Sequence, residues 1–215
     1  MAEPQHASRT KLLDAALQVV RTKGYSATRI DDVCAAAGLT KGSFFHHFRS
    51  KEDLALAAVA RWTEVTEAVF AEAPYRRLED PLDRVLGYVD FRRALLQGRL
   101  PEFTCFAGTM LQEVFDSYPE IREACAGCIC GHAATLETDI AAAKRRHGAS
   151  GNWTPESLAL HIQGVLQGAF ILAKAKQGPE TAAASVDHLR RYLEMLFAAP
   201  AERKGGARRE APPRA

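Results

Sequence analysis

Two stretches of this 215-residue chain bring together side chains able to do chemistry. The first runs Thr40-Lys41-Gly42-Ser43-Phe44-Phe45-His46-His47-Phe48. A lysine, a serine and two histidines offer donors of the kind that meet phosphates and base edges. The second is Cys125-x-x-Cys128-x-Cys130, with Cys105 upstream and His132 just after. Thiolates and imidazoles hold metals when they converge, and thiols also sense oxidants. On a helix Cys125 and Cys128 share a face while Cys130 points elsewhere, and no second Cys-x-x-Cys pair exists. No metal site and no cofactor are therefore assigned. The leading reading makes these cysteines small buried apolar residues. Redox or electrophile sensing through Cys105, Cys125, Cys128 and Cys130 is the alternative, and a metal-dependent helical enzyme ranks below it. No paired carboxylates, nucleophile–base arrangement or Gly-rich phosphate loop supports catalysis, so the chain is not expected to be an enzyme.

Two short helices must position the first stretch. Ala35-Ala36-Ala37 ends one, Gly38 supplies a left-handed turn, Leu39 returns to the core, and Thr40 caps the next. Phe44 and Phe48 lie four apart and should face inward. Lys41, Ser43, Phe45, His46 and His47 remain for the outside. No acidic residue occurs between Asp32 and Glu52. This is a helix-turn-helix whose second helix suits the major groove.

Upstream, Leu13, Ala16, Leu17 and Val20 follow helical spacing over 9–23, with Ser8 as cap and Gly24 as stop. Thr28 is expected to cap the second helix, with Asp31 at the capping-box position. Ser50 caps a fourth helix reaching about Ala73, ended by Pro74; its first half reads as a connector between two domains. Further helices are expected over 80–96, 102–117, 120–146, 155–177 and 181–198. No stretch shows strand alternation. The fold class is all-α, with about nine helices: a helix-turn-helix domain at 8–52, a helical domain at 53–199 and a disordered basic tail at 200–215.

Residues 1–51 carry eight Lys/Arg against four Asp/Glu, whereas 52–200 carry fifteen against twenty. The cationic end suits nucleic acid, and the larger acidic part must do something else. With 47% hydrophobic residues a large core is possible. No apolar run is read as membrane-spanning and no signal pattern is seen, so a cytoplasmic location is expected, with five cysteines as thiols.

The stretch from Leu12 to Leu54 resembles the DNA-binding domain of the tetracycline-repressor (TetR) family. The likeness is carried by Gly24, Ala27-Thr28, Asp32-Val33, Ala36 to Ser43, His46-His47-Phe48 and Ser50 to Leu54. It implies a homodimer that binds a palindromic operator on double-stranded DNA, with half-sites roughly 34–36 Å apart. A small-molecule effector among the C-terminal helices would release the DNA, and most such regulators are repressors. Carried over by position, Arg29, Thr40, Lys41, Gly42, Ser43, Phe45, His46, His47 and Lys51 are the expected DNA-binding residues. Phe45 departs from the tyrosine usual in the family, which removes a phosphate-seeking hydroxyl.

In the larger part, Trp62, Tyr88, Phe91, Cys105, Phe106, Met110, His132 and Phe170 are expected to line an effector pocket, chosen for size and apolarity. His161 and Gln167 are candidate polar groups of either pocket or interface. Gly164 and Gly168, four apart, permit close helix approach. With Leu189, Leu193 and Leu196 of the last helix they form the expected dimer interface.

Overall fold

Leu12, Leu13, Ala16, Leu17 and Val20 recur along one side of α1 (Glu3–Lys23), and all five are buried. In the computed structural model, which describes residues 3–198, α1 begins upstream of Ser8. Ser8 is therefore not a cap; its hydroxyl lies 2.7 Å from His47 Nε2. Gly24 closes the helix at φ 87°, a conformation that penalises side chains.

The cap of α2 (Ile30–Ala37) sits one residue later than its sequence suggests. Arg29 is the N-cap, and the Asp32 carboxylate, not Asp31, accepts its backbone N–H at 2.7 Å. Thr28 is buried, and its hydroxyl donates to the Gly24 carbonyl instead. Gly38 takes the left-handed conformation at φ 65° and returns the chain to Thr40. The Thr40 hydroxyl accepts from Ser43 N–H and starts α3 (Lys41–His47). Ser50 caps α4 (Lys51–Ala71) in the same way, through Asp53 N–H.

A 3-10 turn (Pro74–Arg77) and α5 (Pro81–Ala94) follow, the latter capped by Asp80. Two segments expected as single helices are each broken, giving eleven α-helices among the described residues. The first becomes α6 (Leu100–Phe103) and α7 (Phe106–Val114). The buried Thr104 is extended and donates back to the Leu100 carbonyl; Cys105 Sγ then accepts Gly108 N–H to begin α7. The second becomes α8 (Pro119–Ala134) and α9 (Glu137–Arg146). There the Thr135 hydroxyl donates to the His132 carbonyl, a bond that competes with continuation of the helix. Then come α10 (Pro155–Lys176), opened by Thr154-Pro155, and α11 (Glu180–Phe197). The tail expected at 200–215 lies outside the described residues.

Two cores form, and they do not divide at residue 52. One joins α1 to α4 with Phe106, Ala107, Met110 and Val114 of α7 and Ile121 and Cys125 of α8. The other gathers Phe70, α5 and α9 to α11. Helix α4 threads both: Leu54, Ala55, Ala58 and Val59 belong to the first and Phe70 to the second. Glu113 on α7 adds a polar tie, accepting the N–H groups of Tyr25 and Ser26 at 2.9 and 2.8 Å.

By length and composition α10 alone, among the described residues, is apolar enough to cross a membrane, which corrects the sequence reading. One side of it, Leu158, Ile162, Leu166, Ala169, Phe170 and Ala173, is packed in the body core. Met110 is fully buried in the shared core. Met110→Ala should therefore cost about 2–5 kcal/mol, and calorimetry should show head and body melting together. A separate low-temperature transition for the head would contradict a shared core.

Candidate functional site

Lys41, Gly42, Phe45 and His46 form the exposed side of α3, opposite the buried Phe44 and Phe48. Phe45 is 56% exposed, and its ring meets Phe44 edge-on at 5.2 Å. A Cβ added at Gly42 would meet only the Thr40 hydroxyl oxygen, at an ordinary 3.6 Å. Packing within the chain therefore does not demand glycine there. Lys41 Nζ lies 2.9 Å from Asp31, with both side chains mostly in solvent. Such a pair contributes little and exchanges readily for another anion.

His46 and His47 pack ring to ring at 4.9 Å. Burial lowers the pKa of His47, and His46 and Arg9 lower it further, so this ring tends to be neutral. Arg29 is exposed, and Ser43 is half-buried. Lys51 stands apart: its ammonium lies 4.1 Å from the Tyr25 ring centroid and 3.4 Å from the Ser26 carbonyl. Arg49 has no place among the residues expected by position, yet its side chain is 96% exposed beside α3.

The second feature is a cavity of about 300 Å³ at the seam of the two cores. Its long wall is a stripe of α4: Trp62, Val65, Thr66, Val69 and Phe70. Of the residues expected to line it, Trp62, Cys105, His132 and Phe170 do. Tyr88, Phe91, Phe106 and Met110 do not. Tyr88 is fully buried behind His132, Phe91 packs on Phe70 and Tyr75, Phe106 lies behind Trp62, and Met110 belongs to the shared core. Large apolar side chains fill space before they enclose it.

Residues that size alone does not suggest complete the lining, among them Arg21, Arg92, Glu102 and Gln163. Gln167 also faces the cavity, and its amide end lies against Gly108, where an added Cβ would make it move. His161 instead packs on Tyr192 at the surface. Arg21 comes from α1; its Nε donates to the Leu17 carbonyl and its guanidinium covers the Trp62 ring.

A polar chain backs the cavity. Gln163 donates to the Tyr88 hydroxyl at 2.8 Å, and that oxygen lies 3.1 Å from His132 Nε2. Burial, reinforced by Arg92 and Arg76, pushes the His132 pKa down to about 3. The ring is then neutral, and its Nε2 can accept the Tyr88 proton.

The cysteines do not converge. Among the described residues no group of three or more His, Cys, Asp or Glu is placed to hold a metal. Cys125 is fully buried, and burial pushes its thiol up to about 12; Cys128 is raised for the same reason. Raised thiols are poor nucleophiles, which weighs against redox sensing through these two.

On α10 and α11, Leu189 and Leu193 are buried in the body's own core, so they are not available to a partner subunit. Leu196 is partly buried against that core. The apolar stripe of α11 faces inward because the body needs it. Gly164 and Gly168 do border open space. Around them Leu160, Ile171, Leu172, Tyr192 and Met195 are exposed apolar residues that the helical periodicity did not single out.

A capped helix-turn-helix whose core is shared with a cavity-bearing helical body defines a class of two-part helical regulator. Residues 12–58 match the model for bacterial regulatory proteins of the tetR family, and residues 81–189 match a tetracyclin repressor-like C-terminal domain. The chain belongs to the TetR family. It is 40% identical over 80 residues to the HTH-type transcriptional regulator CymR of Pseudomonas putida, covering 37% of this chain and 39% of that one. A TetR-family regulator from Agrobacterium tumefaciens superposes with a TM-score of 0.78 at 20% identity, over 90% of this chain and all of that one. Another, from Chloroflexus aurantiacus, gives 0.78 at 26% identity, over 89% and 96%.

His132 carries a pH signature. Its folded pKa lies below the ordinary 6.5, so its contribution to stability is present above pH 6.5 and is lost as pH falls toward about 3. The melting temperature of His132→Gln should fall less over that window than that of the unmodified chain. Parallel curves would show that His132 does not titrate as the fold implies.

Proposed function

We propose that the protein is a homodimeric transcriptional repressor. It holds a palindromic operator through α3 and releases it when a small molecule fills the seam cavity. The observation that carries this is the exposed α3 face of Lys41, Gly42, Phe45 and His46, held rigid by the buried Phe44 and Phe48 behind it. A lysine and an imidazole on a solvent-facing helix offer donors to phosphates and to base edges, and the Phe45 ring suits a thymine methyl. Ser43, His47, Arg29 and Thr40 flank that face, and Arg49 and Lys51 add positive charge around it. The cavity supports control by a ligand, because Arg21 of α1 shares its lining with the body helices.

For the dimer we assign the exposed apolar side of α10 and α11, with Gly164 and Gly168 allowing close approach. Its ridge, Leu160, Gly164, Gly168 and Leu172, follows helical spacing.

A duplex selected from random DNA by the unmodified protein should bind Lys41→Ala and His46→Ala more weakly, by about 1–3 kcal/mol for each base-edge hydrogen bond removed. Their melting temperatures should stay unchanged, since both side chains are exposed. Equal gel-shift affinity for both variants would remove α3 as the reading element. For the interface, Met195→Glu combined with Leu172→Glu should convert a dimer to a monomer in light scattering. A mass unaffected by the pair would place the interface elsewhere.

A further inference from the structure

We propose that the seam cavity takes an amphipathic anion, with a carboxylate or similar single negative charge on Arg92 and an apolar body lying along α4. This rests on the reading of the cavity as the effector site and names the chemical class that it would bind.

Arg92 is the unusual arginine of the body. Its guanidinium lies against three aromatic rings, Phe70 at 5.1 Å, Tyr88 at 5.8 Å and Phe170 at 5.9 Å. Its Nε is buried and has no hydrogen-bond partner. Several other arginines of the body are matched, Arg84 with Asp139, Arg93 with Asp187 and Arg190 with Asp90, and what sets Arg92 apart is the buried Nε without an acceptor. Among the described residues no carboxylate pairs with Arg92. A half-buried cation whose buried Nε donor is orphaned carries a cost unless something supplies the missing acceptor.

The lining itself does not neutralise it. Glu102 is the one acid there, and Arg99 already holds it through backbone N–H and Nε, at 2.9 and 3.1 Å. The neighbouring His132 is neutral. With Arg21 the cavity therefore carries two guanidiniums against one engaged carboxylate.

Shape sets the rest of the ligand. From Trp62 to Phe70 the α4 wall rises through roughly 12 Å. Arg92 sits at the Phe70 end, and Arg21 covers Trp62, 4.9 Å from its ring, at the other. Between them Val65, Thr66 and Val69 present a mostly apolar floor. A charged head at Arg92 with an extended apolar tail fits this polarity, and the tail reaches the residue contributed by α1.

The test uses the full-length protein with Trp153→Phe, which leaves Trp62 as the sole tryptophan of the two. Its fluorescence is titrated with decanoate, decanol and decylamine, and release of a selected duplex is followed in parallel. Decanoate should bind roughly ten- to a hundredfold more tightly than decanol, the range of a charge-assisted hydrogen bond, and decylamine the least. Arg92→Met should bring decanoate and decanol level, Arg92→Lys should keep part of the difference, and Arg93→Met should keep all of it. Thermal melts of each variant guard against misfolding.

Equal binding of decanoate and decanol by the unmodified site, a preference that survives Arg92→Met, or no response of Trp62 to any probe would each overturn the proposal. DNA release by decanol alone would leave the effector reading standing without the anion. Arg92-dependent binding of decanoate with no release would keep the anion site and refute its regulatory role.

Discussion

The reading head of this protein shares its core with the body. Phe106, Met110 and Val114 of α7 and Cys125 of α8 complete the packing of Leu12, Leu17, Val33, Phe44 and Leu54. Burial of apolar surface is the largest favourable term available to a small helical unit, and here a good share of it comes from the body. Helix α7 packs on α1 and α4, and α1 in turn packs on α3, so a shift of α7 reaches the recognition helix through the shared core. That dependence makes ligand control physically reasonable: a molecule that moves the body helices also moves part of the head's core.

Helix α4 and the seam cavity belong to the same arrangement. One stretch of helix carries Leu54 and Ala58 into the first core, Trp62 to Phe70 along the cavity, and Phe70 into the second core. The cavity exists where the two cores fail to meet. Its polar residues stand at its ends and along its back, where Arg92, His132 and Gln163 line it and Tyr88 ties them together from behind.

How much of this is legible in the sequence differs by element. The α2–α3 unit is legible because its signals are local: Gly38 for the left-handed turn, Thr40 for the cap, and Phe44 and Phe48 at one helical spacing. The Thr154-Pro155 start of α10 is equally plain. Caps slip by a residue where two acids adjoin, as at Asp31 and Asp32. Helix breaks at Thr104 and Thr135 escape a reading of periodicity because neither position carries a Gly or Pro to mark it. The cavity is half legible. Size and apolarity find Trp62 and Phe170, but Arg21 and Arg92 enter it through packing that no local pattern encodes. The α11 stripe of Leu189 and Leu193 is apolar as expected but packs on a different neighbour, since periodicity tells which side is buried and not against what.

Glu113 brings out one more consequence. Its carboxylate closes the turn after α1 by accepting from Tyr25 and Ser26, and it occupies the space beside Gly24 that any larger residue would need. The recognition module therefore ends partly in a side chain almost ninety residues away. A chimera that grafts this head onto a trunk without an acid at that place would carry the whole motif and still leave two amides uncapped. Moving this head to a new trunk therefore means moving Glu113 with it.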